Sequence, residues 1–271
     1  MNSNLVGFHT YDFARHFLSA CTRGFGVSPT PLGVLHKHTF VSVGAFPIGI
    51  NPQQFTDGAQ MSQTKELFQN FRKKYSGKKI IVGVDRVDYT KGITLKLEAY
   101  KKFLQKNPGK TVLIQVGVPS REDIDEYRSL INDVNRLVGE INSLYGTLDY
   151  SPIVYINKSV NFAELCALYA LGDCLIVSSV RDGMNLVACE YVICQNERKN
   201  LSDNENEDQG VLILSEFAGA SRSLAGSLLI NPWDEDGVAN KIEKCLFKMS
   251  SSEKLERHKQ NFEIVSTVSE L

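Results

Sequence analysis

The stretch KIIVGVDRVDYTKGITLKLEAYKKFL, residues 79–104, decides the fold of this chain. It begins with a β-branched run of strand length, residues 79–84, and continues with a polar loop that ends at Gly92. Apolar side chains then recur at helical spacing from Ile93 to Leu104. A strand, a short polar loop and an amphipathic helix in this order are typical of a parallel β-sheet covered by helices.

The same alternation continues toward the C-terminus. A three-four apolar rhythm from Ile124 to Tyr145 predicts a helix of about six turns. Asn161 and Glu164 have the spacing of a capping box at the start of another helix. Further strands are predicted at residues 111–116, 153–156, 174–178, 211–214 and 228–230. We therefore predict an α/β fold, a Rossmann-like doubly wound parallel sheet, over residues 77–250, with a C-terminal helix over 251–271.

The first 76 residues follow a different pattern. Thr10 is placed to cap a helix with Phe13, Phe17 and Cys21 on its apolar face, and residues 40–45 predict a strand. One helix and one strand do not close a domain, so residues 1–50 are interpreted as the tail of a preceding Rossmann domain. Residues 51–76 are then the connection between domains.

The segment NERKNLSDNENEDQG, residues 196–210, interrupts this regular pattern. It is polar, acidic and without periodicity, and we interpret it as a solvated surface insertion.

Composition sets limits on the class of protein. The 271 residues include 30 Lys+Arg and 31 Asp+Glu, so the formal charge of −1 provides no field for nucleic acid or an anionic membrane. The sequence has no apolar run of about 20 residues and no signal peptide at its start, so we expect a cytoplasmic protein. Six cysteines without a Cys-x-x-Cys pair predict buried free thiols.

Two cations lie in the loop that follows the first strand of the sheet. Arg86 and Lys91 are five residues apart beside a helix N-terminus, where backbone N–H groups favour an anion, and together they could clamp a diphosphate. The alternative is structural: Arg86 pairs with Asp85 or Asp88, and Lys91 is a solvated charge. Spacing alone leaves both interpretations open.

A second loop, RDGMNLV, opens a later helix. Gly183 lets a ligand approach the backbone, and the N–H groups after it are unpaired because they begin the helix. Glu190 follows Asp182 by eight residues, so both carboxylates can face one cleft. The alternative is a helix-capping Asp182 and an exposed Glu190.

A third loop and a histidine pair are weaker candidates. Arg121 follows another strand and could bind a second phosphate, or it could be an ordinary surface arginine. His36 and His38 lie on a probable strand without a further His/Cys cluster, so we expect no metal site. The glycine motifs of dinucleotide and P-loop sites are absent.

Six segments closely resemble the trehalose-6-phosphate synthases, especially the fungal type, and they occur in the order of that family. They are GFHTYDFARHFLSAC (7–21), VGAFPIGI (43–50), GVDRVDYTKGI (83–93), VPSRED (118–123), RDGMNLVACEYV (181–192) and LSEFAGA (214–220). The resemblance implies a retaining glucosyltransferase of two Rossmann domains that transfers glucose from UDP-glucose to glucose 6-phosphate. This chain would hold its C-terminal domain and a remnant of the N-terminal one.

The resemblance also implies roles for individual residues. Arg86 and Lys91 match the pair that holds the donor diphosphate, and Asp182 matches the acid that hydrogen-bonds the donor glucose. The other implied ligands are the backbone of Gly183, Met184 and Asn185 at the sugar, the N–H groups of Leu186 and Val187 at the phosphate, Glu190 at the ribose and Arg121 at the acceptor phosphate. In this family the departing phosphate takes the acceptor proton, so Arg86, Lys91 and Asp182 would act catalytically by positioning and charge stabilisation, without metal or cofactor.

The family's N-terminal glycine-rich loop and acceptor-gripping residues have no counterpart in this sequence, so we expect the chain to be incomplete for turnover. A second hypothesis is a non-catalytic nucleotide-sugar-binding or regulatory subunit that docks onto other trehalose-pathway subunits, and a homo-oligomer is a further option. A third, a nucleotide-dependent oxidoreductase, requires the ordered motifs to be accidental.

Overall fold

The computed structural model describes residues 3–120, 125–204 and 207–268, in two compact units, Met1–Gly49 and Ile50–Leu271. The first unit contains one helix and a four-stranded sheet. Its elements are β1 (Leu5–Phe8), α1 (Tyr11–Phe25), β2 (Pro29–Thr30), β3 (Gly33–His36) and β4 (Thr39–Ala45). The strand order is β1-β4-β3-β2, in which β1 and β4 are parallel and the other pairs antiparallel.

This unit differs in detail from its prediction. Only the last of its four strands was predicted, because the others are two to four residues long and carry too little periodicity for recognition. Of the face predicted for α1, Cys21 is buried, but Phe13 and Phe17 are only half-buried, and Ala14 and Leu18 are buried instead. His36 ends β3 and His38 lies in the turn before β4, so the two histidines do not share a strand.

The second unit contains a six-stranded sheet. Its strands are β5 (Lys79–Arg86), β6 (Thr111–Val118), β7 (Ile153–Ile156), β8 (Cys174–Val177), β9 (Val211–Ser215) and β10 (Leu228–Ile230). Its helices are α2 (Pro52–Gln60), α3 (Ser62–Lys74), α4 (Ile93–Lys106), α5 (Asp125–Tyr145), α6 (Phe162–Leu171), α7 (Leu186–Asn196), α8 (Arg198–Ser202), α9 (Glu235–Glu243) and α10 (Ser251–Val268).

The strand order β10-β9-β8-β5-β6-β7, with every pair parallel, is that of a Rossmann-like doubly wound sheet, which confirms the predicted fold class. Successive residues of β5 enter different cores: Ile80 and Val82 pack in one, Ile81 in the other. Strand side chains alternate between faces, so the two cores lie on opposite faces of the sheet. Helices α6 and α7 cover the first face, and α4, α5 and α9 cover the second.

Residues 51–76, predicted as a connection, form the helices α2 and α3. Phe55 of α2 and Phe68 of α3 are buried in the core that contains α6 and α7. The capping box at the start of α6 is confirmed: the Asn161 side chain accepts from Glu164 N, and the Glu164 side chain accepts from Asn161 N. Within the described residues, no helix is long and apolar enough to cross a membrane. All six cysteines are free thiols.

The interpretation of residues 196–210 as a solvated insertion is wrong in part, because five of its thirteen described residues are buried. Arg198 is only 5% exposed, and Leu201 and Gln209 are also buried. Arg198 is held by ion pairs to Asp173 and Glu207, each at 3.0 Å. The polar composition of this segment therefore reflects a buried charge network, which composition cannot distinguish from solvation.

Candidate functional site

The strand order reverses between β5 and β8, which are neighbours at the centre of the sheet. The chain leaves β5 for α4 on one face and leaves β8 for α7 on the other. The two connections therefore diverge and leave a crevice at the carboxyl ends of these strands, the position where doubly wound sheets bind ligands. The two loops singled out in the sequence follow these two strands.

The loop after β5 is a tight, well-satisfied turn. β5 continues to Arg86, two residues beyond its predicted end, and Tyr89–Lys91 forms one turn of 3₁₀ helix. Asp88 caps this turn, since its Oδ1 accepts from Thr90 N at 2.9 Å and from Thr90 Oγ1 at 2.8 Å. Gly92 has φ 60°, and a Cβ there would lie 2.3 Å from the Ser178 carbonyl oxygen. Glycine is required at this position for both reasons.

The loop after β8 is bound directly to the loop after β5. The Ser178 hydroxyl donates to the carbonyl oxygens of Lys91 (2.9 Å) and Gly92 (3.1 Å). The backbone N–H of Val180 donates to the Thr90 carbonyl at 2.8 Å. These bonds hold the two loops side by side without using the charged ends of their side chains.

Lys91 and Asp182 meet across this junction. Lys91 Nζ lies 2.6 Å from Asp182 Oδ2, and their side chains are 14% and 13% exposed. The same oxygen accepts from Asn185 Nδ2 at 2.9 Å and from Ser179 Oγ at 3.3 Å. Burial works to raise the pKa of Asp182, but the hydrogen bonds from Lys91, Asn185 and Ser179 outweigh it and lower the pKa below its ordinary value. Asp182 is therefore a carboxylate at neutral pH.

Arg86 is the exposed cation of the site, and within the described residues no ion pair engages it. Asp85, its predicted alternative partner, pairs with Lys96 instead. Burial tends to raise the pKa of Asp88, while the Thr90 hydrogen bonds and the charges of Arg86 and Lys91 lower it overall. The structural alternative therefore fails for Lys91, which is ion-paired and largely buried, whereas Arg86 is exposed and makes no ion pair among the described residues.

The N-terminus of α7 presents its first amides at the same edge. Asn185 is the N-cap in a left-handed conformation (φ 74°), and its Oδ1 accepts from Ala188 N at 3.1 Å. Leu186 and Val187 precede that capped amide, so their N–H groups are the first of the helix and lack intrahelical acceptors. Met184 is buried and accepts at its carbonyl from Ala220 N at 2.8 Å. Asn185 therefore both caps α7 and orients Asp182.

Glu190 lies one turn into α7 and faces α6. Its Oε2 accepts from the Tyr169 hydroxyl at 2.8 Å, and burial raises the pKa of this carboxyl. Tyr169 is itself buried, which raises the pKa of its phenol well above the ordinary value. The alternative of an exposed Glu190 is thus wrong, because the side chain is half-buried and hydrogen-bonded.

The structure brings Lys91, Asp182 and Asn185 into direct contact, with Arg86 one short turn away on the same loop. Gly183 lies in the chain between them, and Arg121 lies outside the described residues. Within the ranges that the structure covers, no group of His, Cys, Asp and Glu is arranged to hold a metal ion.

Sequence reasoning missed four supporting side chains, namely Tyr169, Ser178, Ser179 and the amide of Asn185. The two serines carry a usable signal, since they are polar residues directly after the apolar run 174–177. Tyr169 carries none, because the residues around it in α6 are all apolar and their periodicity does not separate a core tyrosine from one that orients a carboxylate.

The opposite edge of the sheet also has a concave region. A cavity of about 410 Å³ is lined by Arg72 and Tyr75 on one side and by Asp173, Arg198 and Glu207 on the other. Its cations are already engaged: Arg72 with Glu207 at 2.7 Å, and Arg198 with Asp173 and Glu207. This edge therefore differs from the carboxyl edge, where no described residue forms an ion pair with the exposed Arg86.

The fold and the two joined loops define a doubly wound domain with cationic groups and free helix amides at its switch point. The chain belongs to glycosyltransferase family 20, which it matches over residues 1–270. It is 49% identical, over 91% of its length, to the 56 kDa subunit of the UDP-forming alpha,alpha-trehalose-phosphate synthase of Saccharomyces cerevisiae, and it spans 48% of that relative.

Two solved structures are similar. One is the N-terminal domain of Candida albicans trehalose-6-phosphate phosphatase, with TM-score 0.89, 34% identity, and coverage of 97% of this chain and 55% of that one. The other is an E. coli trehalose-6-phosphate structure with UDP-2-fluoro glucose bound, with TM-score 0.89, 28% identity, and coverage of 98% and 58%. The chain thus spans about half the length of these proteins.

Proposed function

We propose that this chain binds UDP-glucose at the carboxyl edge of β5 and β8 and provides the donor site of a retaining glucosyltransferase. The reaction transfers glucose to glucose 6-phosphate and forms trehalose 6-phosphate and UDP. The observation that carries the proposal is the 2.6 Å contact between Lys91 and Asp182, with Arg86 open beside it. This contact brings together a cation and a carboxylate. The cation suits the diphosphate end of an activated sugar, and the carboxylate suits the hydroxyls at its sugar end.

The diphosphate end of the donor is proposed to lie against Arg86, Lys91 and the amides of Leu186 and Val187. Two cations and a helix N-terminus match a diphosphate in charge and in hydrogen-bond donors. Negative charge on the leaving diphosphate grows as the glycosidic bond breaks, so the same groups stabilise the transition state more than the ground state. Catalysis in this scheme rests on positioning and charge, and the departing phosphate accepts the proton of the acceptor hydroxyl.

The glucose end of the donor is proposed to lie against Asp182 and the backbone of residues 183–185. The hydrogen bonds to Asp182 from Lys91, Asn185 and Ser179 all use Oδ2, so Oδ1 is the oxygen proposed to accept from a sugar hydroxyl. Glu190 is assigned to the ribose, with its carboxylate oriented by Tyr169.

The acceptor end and the surroundings complete the proposal. Arg121 is assigned to the phosphate of glucose 6-phosphate, since a guanidinium suits phosphate oxygens. We propose chemistry without a metal or cofactor, a cytoplasmic location, and assembly with trehalose-pathway subunits or with further copies of this chain. The similar yeast protein is itself described as a subunit.

A non-catalytic nucleotide-sugar-binding module is the second candidate. The similarity to the N-terminal domain of a trehalose-6-phosphate phosphatase favours it, because this fold also occurs in a protein named for a different reaction. Both candidates use the same donor site. Release of UDP from UDP-glucose and glucose 6-phosphate by the purified chain supports the enzyme, whereas donor binding without release fits the module and equally an enzyme part that is incomplete for turnover.

The donor site is tested by removing its cations singly. Arg86→Ala and Lys91→Ala should each weaken UDP-glucose binding by about 1.5–3 kcal/mol, the worth of a charge-assisted hydrogen bond. Titration calorimetry gives the affinity, and circular dichroism checks the fold. Lys106→Ala is the matched control, since this exposed lysine ends α4, the helix that begins beside Lys91. Unchanged affinity in both site variants would remove these cations from the site.

A further inference from the structure

An ion pair that the donor site does not use lies directly beneath the loop after β5. Lys96 Nζ is 2.6 Å from Asp85 Oδ2, and the side chains are 0% and 2% exposed. Gln115 completes the group: its Oε1 accepts from Lys96 Nζ at 3.1 Å, and its Nε2 donates to Asp85 Oδ2 at 3.0 Å. We call these three residues the Lys96 network.

A buried ion pair is by itself weak evidence of a stabilising role. Moving two charges out of water costs several kcal/mol per ion, and well-packed apolar side chains of similar volume often replace such pairs without loss of stability. The surroundings are nonetheless shaped for the polar group. A Cβ at Gly83 of β5 would lie 2.2 Å from Gln115 Oε1 and 2.7 Å from Lys96 Nζ. Glycine at this position therefore leaves room for both side chains.

The placement of the network suggests its purpose. Asp85 immediately precedes Arg86 at the end of β5, and Lys96 lies in the first turn of α4, where its N–H donates to the Gly92 carbonyl at 3.0 Å. The ion pair therefore joins the two ends of the loop that carries both cations, Arg86 and Lys91. Gln115 ties the same junction to β6, the next strand of the sheet.

We propose that Lys96, Asp85 and Gln115 are positioning residues that hold Arg86 and Lys91 at the separation a nucleotide diphosphate requires. The proposal rests on the proposed donor site and adds residues that do not touch the nucleotide. A bidentate clamp loses affinity when its two cations drift apart, even if both charges remain. An ion pair closing the base of the loop prevents that drift.

The decisive experiment measures UDP binding by calorimetry and the free energy of unfolding by urea titration in the same variants. Lys96→Met should weaken UDP binding about 10-fold by disordering the clamp. The double variant Asp85→Asn with Lys96→Met removes the uncompensated charge, so it should regain stability over Lys96→Met while its UDP affinity stays low. A structural role alone predicts that affinity recovers along with stability.

Arg198→Met is the matched control, because it breaks a buried ion-pair network of the same sheet at the opposite edge. It should lose stability and keep wild-type UDP affinity. If Lys96→Met does not fold, Gln115→Met decides the question, since it keeps the ion pair and removes only hydrogen bonds. It should weaken UDP binding about 5-fold.

The outcomes separate this inference from the proposed function. Wild-type protein that does not bind UDP, or Arg86→Ala that binds UDP normally, refutes the donor site itself. The positioning role would be overturned, and the donor site kept, by a different result. In that case Arg86→Ala weakens UDP binding, but folded Lys96→Met or Gln115→Met variants have a UDP affinity within 2-fold of wild type.

Discussion

The two buried charge networks of the second unit lie at opposite edges of one sheet and have different surroundings. The Lys96 network is sealed, with its ion pair at most 2% exposed, under a loop whose outer cation, Arg86, is open. The network around Arg198 opens on a cavity of about 410 Å³. The guanidinium of Arg198 makes five hydrogen bonds, one for each of its N–H groups. One network lies under the loop that carries the exposed Arg86, and the other joins chain segments.

The difference follows from the geometry of parallel sheets. Ligands bind at the carboxyl edge, where successive loops diverge, so buried charges there can orient groups that must stay available. At the other edge a satisfied network fastens α8 to the start of β8 through Arg198 and Asp173. We therefore expect perturbations at the Arg198 edge to change stability alone, and perturbations at the Lys96 edge to change nucleotide affinity.

The largest effect is expected at the Arg198 edge. Arg198→Met removes the buried partner shared by the largely buried carboxylates of Asp173 and Glu207, so the free energy of unfolding should fall by about 3 kcal/mol in urea titration. Arg72→Met removes only the partly exposed ion pair to Glu207 and should cost less than about 1 kcal/mol. Equal losses of unfolding free energy in Arg198→Met and Arg72→Met would contradict the distinction between the buried Arg198 and the partly exposed Arg72.

An intermediate effect is expected from acid at His258 of α10. This side chain is 7% exposed, its Nε2 has no hydrogen-bond partner within the described residues, and burial lowers its pKa from 6.5 to about 4. The unfolded chain therefore binds more protons between pH 6.5 and 4, and stability falls as pH falls through that window. The loss between pH 7 and 4.5 should be about 2.5 kcal/mol.

His258→Leu should remove most of this pH dependence in urea titrations at the two pH values. Helix α10 also holds the segment before β9, since Lys254 Nζ lies 3.2 Å from Asp208 Oδ2. The acid effect thus belongs with the stability changes of the Arg198 edge, and UDP affinity measured at pH 7 should be the same in His258→Leu as in wild type. An unchanged pH slope in the variant would assign the acid sensitivity elsewhere.

The smallest effect on stability is expected at the carboxyl edge and has the opposite sign. Burial raises the pKa of Glu190, so its ionised form is disfavoured in the folded state, and the penalty develops as pH rises above the unfolded value near 4.5. Glu190→Gln should therefore raise the free energy of unfolding at pH 7 by about 0.5 kcal/mol, with little change near pH 4. The amide oxygen can still accept from Tyr169.

The same variant should bind UDP-glucose more weakly, because the ribose loses a charged acceptor. Gain of stability with loss of affinity is the pattern expected of a residue kept for binding. A Glu190→Gln protein that loses stability at pH 7 would instead make this carboxylate structural.

The local parts of the molecule were the easiest to predict. The strand at residues 153–156, the strand at 228–230 and the capping box of Asn161 and Glu164 match the structure residue for residue, because each depends on neighbours in sequence. The first three strands of the first unit escaped prediction because they are too short for periodicity to identify. Residues 196–210 were misjudged because a polar composition does not distinguish a buried network from solvent exposure.

The sequence by itself determined the alternation of strands and helices, the parallel doubly wound class and the two loops that carry Arg86, Lys91 and Asp182. Local spacing encodes these features, since the periods of strand and helix are properties of short segments. Only the tertiary structure decided that Lys91 meets Asp182, 91 residues away, that Tyr169 orients Glu190, and that Lys96 closes the loop from below. Such pairs arise from the order in which strands are wound into the sheet, and no local pattern records that order.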